Sequence, residues 1–109
     1  MTSVIRYFII SGNVQGVFFR QTIVNAAINR GLKAGATNLF DGTVSLTLSG
    51  EDSKVQELID YLKSGKEINS WNAQATDVEE KNDGKSLEKH QVSTEKKDSV
   101  FKPRIEIYI

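Results

Sequence analysis

Residues Gly12 to Arg20, G-N-V-Q-G-V-F-F-R, lie where one hydrophobic period gives way to another. Before them, Val4 to Ile10 is an apolar, β-rich run holding Ile5, Tyr7, Phe8, Ile9 and Ile10, which reads as a buried strand. After them, Phe19, Ile23 and Ala27, flanked by Val24 and Ile28, recur at helical spacing, and Arg30-Gly31 supplies a stop. A strand must therefore become a helix across a short loop bounded by two glycines. Without a Cβ, glycine takes positive φ and lets the backbone curl until several N–H groups face one point. The helix start adds free N–H groups and partial positive charge, which suits an oxyanion. A cation is disfavoured at that end of a helix unless an anion joins it. Arg20, a planar and permanently charged fork, thus points to phosphate.

The rest of the chain alternates in the same way. Leu32 to Asn38 is a weak strand of small residues, and Asp41-Gly42 is a turn signal. Thr43 to Leu48 then alternates, with Val44, Leu46 and Leu48 on one face and Thr43, Ser45 and Thr47 on a face expected to be wet. Glu51 and Asp52 open an amphipathic helix carrying Val55, Leu58, Ile59 and Leu62, which stops near Ser64-Gly65. Trp71 to Val78 is a fourth strand. Residues 80–100 are polar and charged around an Asn82-Asp83-Gly84 turn, and read as a mobile excursion outside the core. Ile105, Ile107 and Ile109 alternate with polar neighbours after Pro103, giving a final strand on a sheet edge. The order β-α-β-β-α-β with an extra C-terminal edge strand predicts an α+β, ferredoxin-like sandwich: an antiparallel sheet with two helices on one face.

Composition narrows the function. At 109 residues the chain is expected to form one domain, residues 1–109, around a single core. Fourteen basic and fourteen acidic residues cancel, which leaves no electrostatic footprint for nucleic acid or an anionic membrane. There is no cysteine, so disulfides, thiolate nucleophiles and zinc–thiolate sites are excluded. The start lacks the pattern of a signal peptide, and no apolar run approaches the roughly 20 residues of a membrane span. A cytoplasmic monomer is the expectation.

The loop does not stand alone. N-L-F-D-G-T-V, from Asn38 to Val44, follows it at a fixed distance, and the two segments together resemble the signature of the acylphosphatase family. Gly12, Val14, Gln15, Gly16, Val17, Phe19, Arg20, Gly31, Leu32, Asn38, Asp41, Gly42 and Val44 all match that pattern without a gap. The resemblance runs through residues 4–79 and returns at Phe101 and the Ile-rich end. It implies hydrolysis of acyl phosphates to a carboxylate and inorganic phosphate. It further implies that Gln15, Gly16, Val17, Phe18, Phe19 and Arg20 hold the phosphoryl group, that Arg20 clamps its oxygens, and that Asn38 positions the attacking water.

The chemistry agrees with the residues at hand. Phosphoryl transfer passes through a loose transition state, so positioning and charge stabilisation carry it. The leaving carboxylate has a conjugate-acid pKa of roughly 4–5 and departs without a general acid. No histidine pair, carboxylate pair, metal or cofactor is required, and none is expected. A neutral asparagine can orient water without repelling an anion.

Other residues read as structural. Gln15 also tunes the loop by hydrogen bonding, Phe18 and Phe19 anchor it, and Trp71 and Tyr61 pack. His90, the only histidine, falls in the polar excursion and is given no catalytic role. Ala34, Gly35, Ala36 and Thr37 stand where the family usually carries a glycine, an aromatic, a β-branched residue and often a basic one. That change predicts a looser second strand, or compensating contact from Phe40 or from the excursion. The competing reading is a noncatalytic anion- or nucleic-acid-binding module of the same fold. Thr43, Ser45 and Thr47 offer no aromatic platform for stacking bases.

Overall fold

A computed structural model describes residues 2–96 and 105–109. Its elements are β1 (Ser3–Asn13), α1 (Phe19–Asn29), β2 (Lys33–Asn38), β3 (Val44–Glu51), α2 (Asp52–Lys63), β4 (Gln74–Lys81), a 3-10 turn (Leu87–Lys89) and β5 (Val92–Ser93). The strands form one sheet in the order β4-β1-β3-β2-β5, antiparallel throughout. The two helices pack on this sheet, giving the ferredoxin-like sandwich.

Period-2 alternation builds the side facing the helices. Phe8 and Ile10 of β1 lie opposite Leu46 and Val44, and Ala34 and Ala36 of β2 lie opposite Leu48 and Leu46. All of these are buried, and they join Ile23, Val24, Ala26 and Ala27 of α1 and Val55, Leu58, Ile59 and Leu62 of α2 in one cluster. Helix α1 closes on Gly31 at φ 74°, where the Leu32 N–H donates to the Ala27 carbonyl at 2.9 Å. Ile28, grouped with the apolar side from sequence, is exposed.

The opposite side of the sheet departs from expectation. Ser45 and Thr47 are buried, because the chain after β4 folds back across β3 and β2. His90 is fully buried there. Its Nδ1 lies 3.0 Å from Thr37 Oγ1 and its Nε2 lies 2.7 Å from Thr47 Oγ1. Through residue 96 the excursion is therefore part of the fold; residues 97–104 lie outside the described residues. Compensation for the small side chains of β2 comes from this segment and not from Phe40, which is wholly exposed. Gly35 lies directly against the His90 ring: a Cβ there would fall 2.5–2.8 Å from three of its side-chain carbons. Thr37, with Thr47, bonds the two ring nitrogens. The small residues of β2 make room for a side chain from elsewhere.

The fifth, edge strand is present, but Val92–Ser93 supplies it, pairing Ser93 with Gly35 and Val92 with Ala36. That pairing occupies the β2 edge. Ile107 instead bridges Asn69, with Tyr108 N–H donating to the Ile68 carbonyl and Ser70 N–H to the Glu106 carbonyl, both at 2.9 Å. The expected match at Phe101 falls outside the described residues. The fourth strand also begins later than its hydrophobic pattern suggests. Ser70 and Trp71 form a turn that the Asn72 N–H closes on the Asn69 carbonyl at 3.3 Å, with Asn72 at φ 64°.

Candidate active site

The two loop glycines have different tasks. Gly12 sits at φ 129° where the β1–β4 register slips, and a Cβ there would come 2.5 Å from the Gln74 carbonyl oxygen. It permits close approach of β4. Gly16, at φ 75° with open space around it, makes the bend of the cradle itself. Phe18 follows in the left-handed region at φ 59°, ψ 27°, and its carbonyl accepts from the Thr22 N–H at 3.0 Å. A side chain held in that conformation costs about 1–2 kcal/mol, so the surroundings must impose it. Edge-on packing of Phe18 against Trp71, at 5.0 Å between centroids, is one restraint.

Asn69 is the other. It is fully buried, and its Nδ2 donates to the Val17 carbonyl at 2.9 Å and to Thr22 Oγ1 at 2.8 Å. Its Oδ1 accepts from the Trp71 and Ala73 N–H groups at 2.9 and 3.2 Å. One side chain thus ties the loop, α1 and the Trp71 turn together. No local signal marks an asparagine just after α2 for such a role.

With its carbonyls restrained in this way, the loop leaves its donors unused. Among the described residues, Gly16 to Arg20 donate no backbone N–H to another group. Gly16, Phe18, Phe19, Arg20, Val14 and Gln21 line a cavity of about 220 Å³. Gln15 and Val17, also assigned to phosphate from sequence, do not line it. The Gln15 side chain is committed elsewhere: its Nε2 donates to the Leu39 and Thr43 carbonyls at 2.8 and 2.9 Å, fastening the loop to the β2–β3 hairpin.

That hairpin carries Asn38. Asp41 Oδ1 accepts from Thr43 N–H at 3.0 Å and Thr43 Oγ1–H at 2.6 Å, which holds the Asp41 carboxyl below the usual range. Gly42 completes the turn at φ 90°. Asn38 Oδ1 is buried with no hydrogen-bond partner among the described residues. Leaving such an acceptor dry costs about 1–3 kcal/mol, so it marks a place where a polar group belongs.

Arg20 and Asn38 meet through a residue the sequence pattern missed. Gln91 Oε1 accepts from Arg20 Nη1–H at 2.8 Å and from the Asn38 backbone N–H at 2.9 Å. Burial lowers the Arg20 pKa, and among the described residues no carboxylate pairs with it. The cavity therefore carries an uncompensated positive charge and a set of free N–H donors; Asn38 does not line it, but its free carbonyl acceptor belongs to a residue one bridging oxygen away from Arg20. Those parts suit a phosphoryl group with a water beside it.

Comparison with known proteins agrees. The acylphosphatase family profile matches residues 6–94. An acylphosphatase of Alkalilimnicola ehrlichii is 42% identical over 74 residues, spanning 68% of this chain and 79% of that protein. One from Bacillus pumilus is 45% identical over 56 residues, 51% of this chain and 59% of that protein. For several such relatives the chain spans less than two thirds of their length. Among solved structures, an acylphosphatase from Bacillus subtilis superposes with a TM-score of 0.60 at 30% identity, covering 80% of this chain and 92% of that one. Another from Coxiella burnetii gives 0.62 at 29% identity, covering 72% and 79%.

Proposed function

The chain belongs to the acylphosphatase family, and we propose that it hydrolyses acyl phosphates with the Gly16–Arg20 loop as phosphate cradle and Asn38 as the residue that orients water. The phosphoryl oxygens take the free N–H groups of the loop and the Arg20 guanidinium. Water held by the Asn38 amide attacks phosphorus in line, and the P–O bond to the acyl oxygen breaks. The bonding pair leaves on the carboxylate, and the protons of the water pass to phosphate oxygen and solvent. The products are a carboxylate and inorganic phosphate. Because the leaving group needs no protonation and the phosphate itself takes up a proton, the chain supplies position and charge only. A cytoplasmic, monomeric protein completes the reading: a chain without cysteine has no disulfide that calls for an oxidising compartment.

The observation that carries this reading is that Asn38, whose buried Oδ1 has no partner, shares one bridging oxygen with an arginine that no carboxylate pairs among the described residues. Hydrolysis of benzoyl phosphate tests it. The expected rate is the same with and without EDTA. Arg20→Ala should lose at least about a hundredfold in kcat/KM, and Asn38→Ala a comparable factor mainly in kcat, as for removal of a preorganised donor or positioning group. Full activity of either variant removes that residue from the site.

A further inference from the structure

We propose that Gln91 is a positioning residue for this reaction: one oxygen atom sets the spacing between the phosphate clamp and the water-orienting residue. The proposal rests on the assignment of Arg20 and Asn38 above. Gln91 Oε1 receives Arg20 Nη1–H and the Asn38 N–H together, at 2.8 and 2.9 Å. A carbonyl oxygen has two lone pairs, so both are used. Arg20 comes from the start of α1 and Asn38 from the end of β2, and no other side chain among the described residues bridges them. As a neutral acceptor, Gln91 orients the guanidinium without cancelling its charge. A carboxylate would compete with the substrate for the same fork.

Gln91 is itself held from below. Thr47 Oγ1–H donates to the Lys85 carbonyl at 2.7 Å, so its oxygen is left to accept from His90 Nε2–H. His90 Nδ1 then accepts from Thr37 Oγ1–H, and Thr37 Oγ1 accepts from the Gln91 backbone N–H at 2.9 Å. With a neutral imidazole every donor in this chain finds an acceptor. The relay runs from the covered side of the sheet to the mouth of the site and ends on the two residues assigned to the chemistry. It also gives the segment after β4 a role beyond covering β2.

Gln91→Ala and Gln91→Glu in the full chain test the proposal, with kcat and KM for benzoyl phosphate, competitive inhibition by inorganic phosphate, and thermal melting measured on each. Gln91→Glu keeps shape and acceptor, so a residue needed for packing alone would leave KM and phosphate affinity as in the wild type. The expected result is a rise of roughly tenfold or more in KM and in the phosphate inhibition constant, from the charge placed on Arg20. Gln91→Ala should lower kcat by roughly tenfold, the scale of one lost hydrogen bond to a charged group. Wild-type constants in Gln91→Glu overturn the proposal. If the wild-type protein fails to hydrolyse acyl phosphates, the reaction assigned above falls by itself. Inorganic phosphate titrated by NMR then decides on Gln91: weaker binding in Gln91→Glu upholds its part in the clamp, and unchanged binding overturns it.

Discussion

Gly35 shows how a single residue can carry a tertiary requirement. In a strand, glycine to alanine ordinarily stabilises through the unfolded state. Here the added Cβ would meet His90 side-chain carbons at 2.5–2.8 Å, and the ring cannot swing aside because Thr37 and Thr47 bond both nitrogens. Gly35→Ala should therefore destabilise the protein by about 1–3 kcal/mol, the range of an overpacked core. Urea unfolding measures this, and combination with His90→Ala should recover part of the loss. Simple addition of the two effects would show that the clash is relieved elsewhere. The same contrast separates legible residues from hidden ones. Arg20 could be read because it sits at a marked helix start, and Asn38 because the family signature marks it, its hairpin alone indicating only a turn residue. Asn69 and Gln91 could not, because neither lies in a repeating pattern and their partners are 52 and 71 residues away.

Among the elements, β2 depends most on its neighbours. Its side chains are too small to fill the covered side of the sheet, and His90 fills it for them. Burial, with the Lys85 and Lys96 cations adding to it, pushes the His90 pKa down to about 4. The unfolded chain takes up a proton near the ordinary histidine value, roughly 6.5, while the folded chain refuses it. Stability is thus greatest above that value, falls as pH drops from about 6.5 to about 4, and loses at most about 3 kcal/mol from this group. Asp41, Glu80 and Glu88 are held below the usual carboxylate range, so their contributions disappear at still lower pH. Urea unfolding at about pH 7 and about pH 4.5 isolates the histidine. Wild type should lose more stability across this interval than His90→Gln, which retains only the onset of carboxylate protonation; equal losses would clear His90 as the cause. The elements themselves were readable from period and turn chemistry, apart from the fifth strand. Val92–Ser93 is too short to display a period, and the regular Ile105-Ile107-Ile109 alternation drew the assignment to the wrong segment.

Across the whole molecule, the site draws on parts of unequal strength. The loop and hairpin stand on β1, β2 and β3, at the centre of the sheet. Gln91 stands on a short segment joined to the sheet by two registered residue pairs of β5, by hydrogen bonds between Thr94 and Ala34, and by side-chain bonds of His90, Gln91 and Thr47. Such a unit opens at lower free energy than the central strands. With increasing urea, hydrolysis should decline before far-UV circular dichroism reports global unfolding, and the β5 amides should exchange hydrogen sooner than those of β3. Coincident loss of activity and dichroism would place the covering segment in the same cooperative unit as the core.

By itself the sequence determined the strand and helix order through β4, the curled loop, its arginine and the hairpin turn. Each follows from local causes: hydrophobic period, positive φ at glycine, helix polarity and turn chemistry. Only the tertiary structure decided which segment takes the edge of β2, what covers the second side of the sheet, and which oxygen joins Arg20 to Asn38. Those choices settle where buried donors find acceptors, and that depends on strand register and on chain returning from far along the sequence. A local pattern carries no record of either.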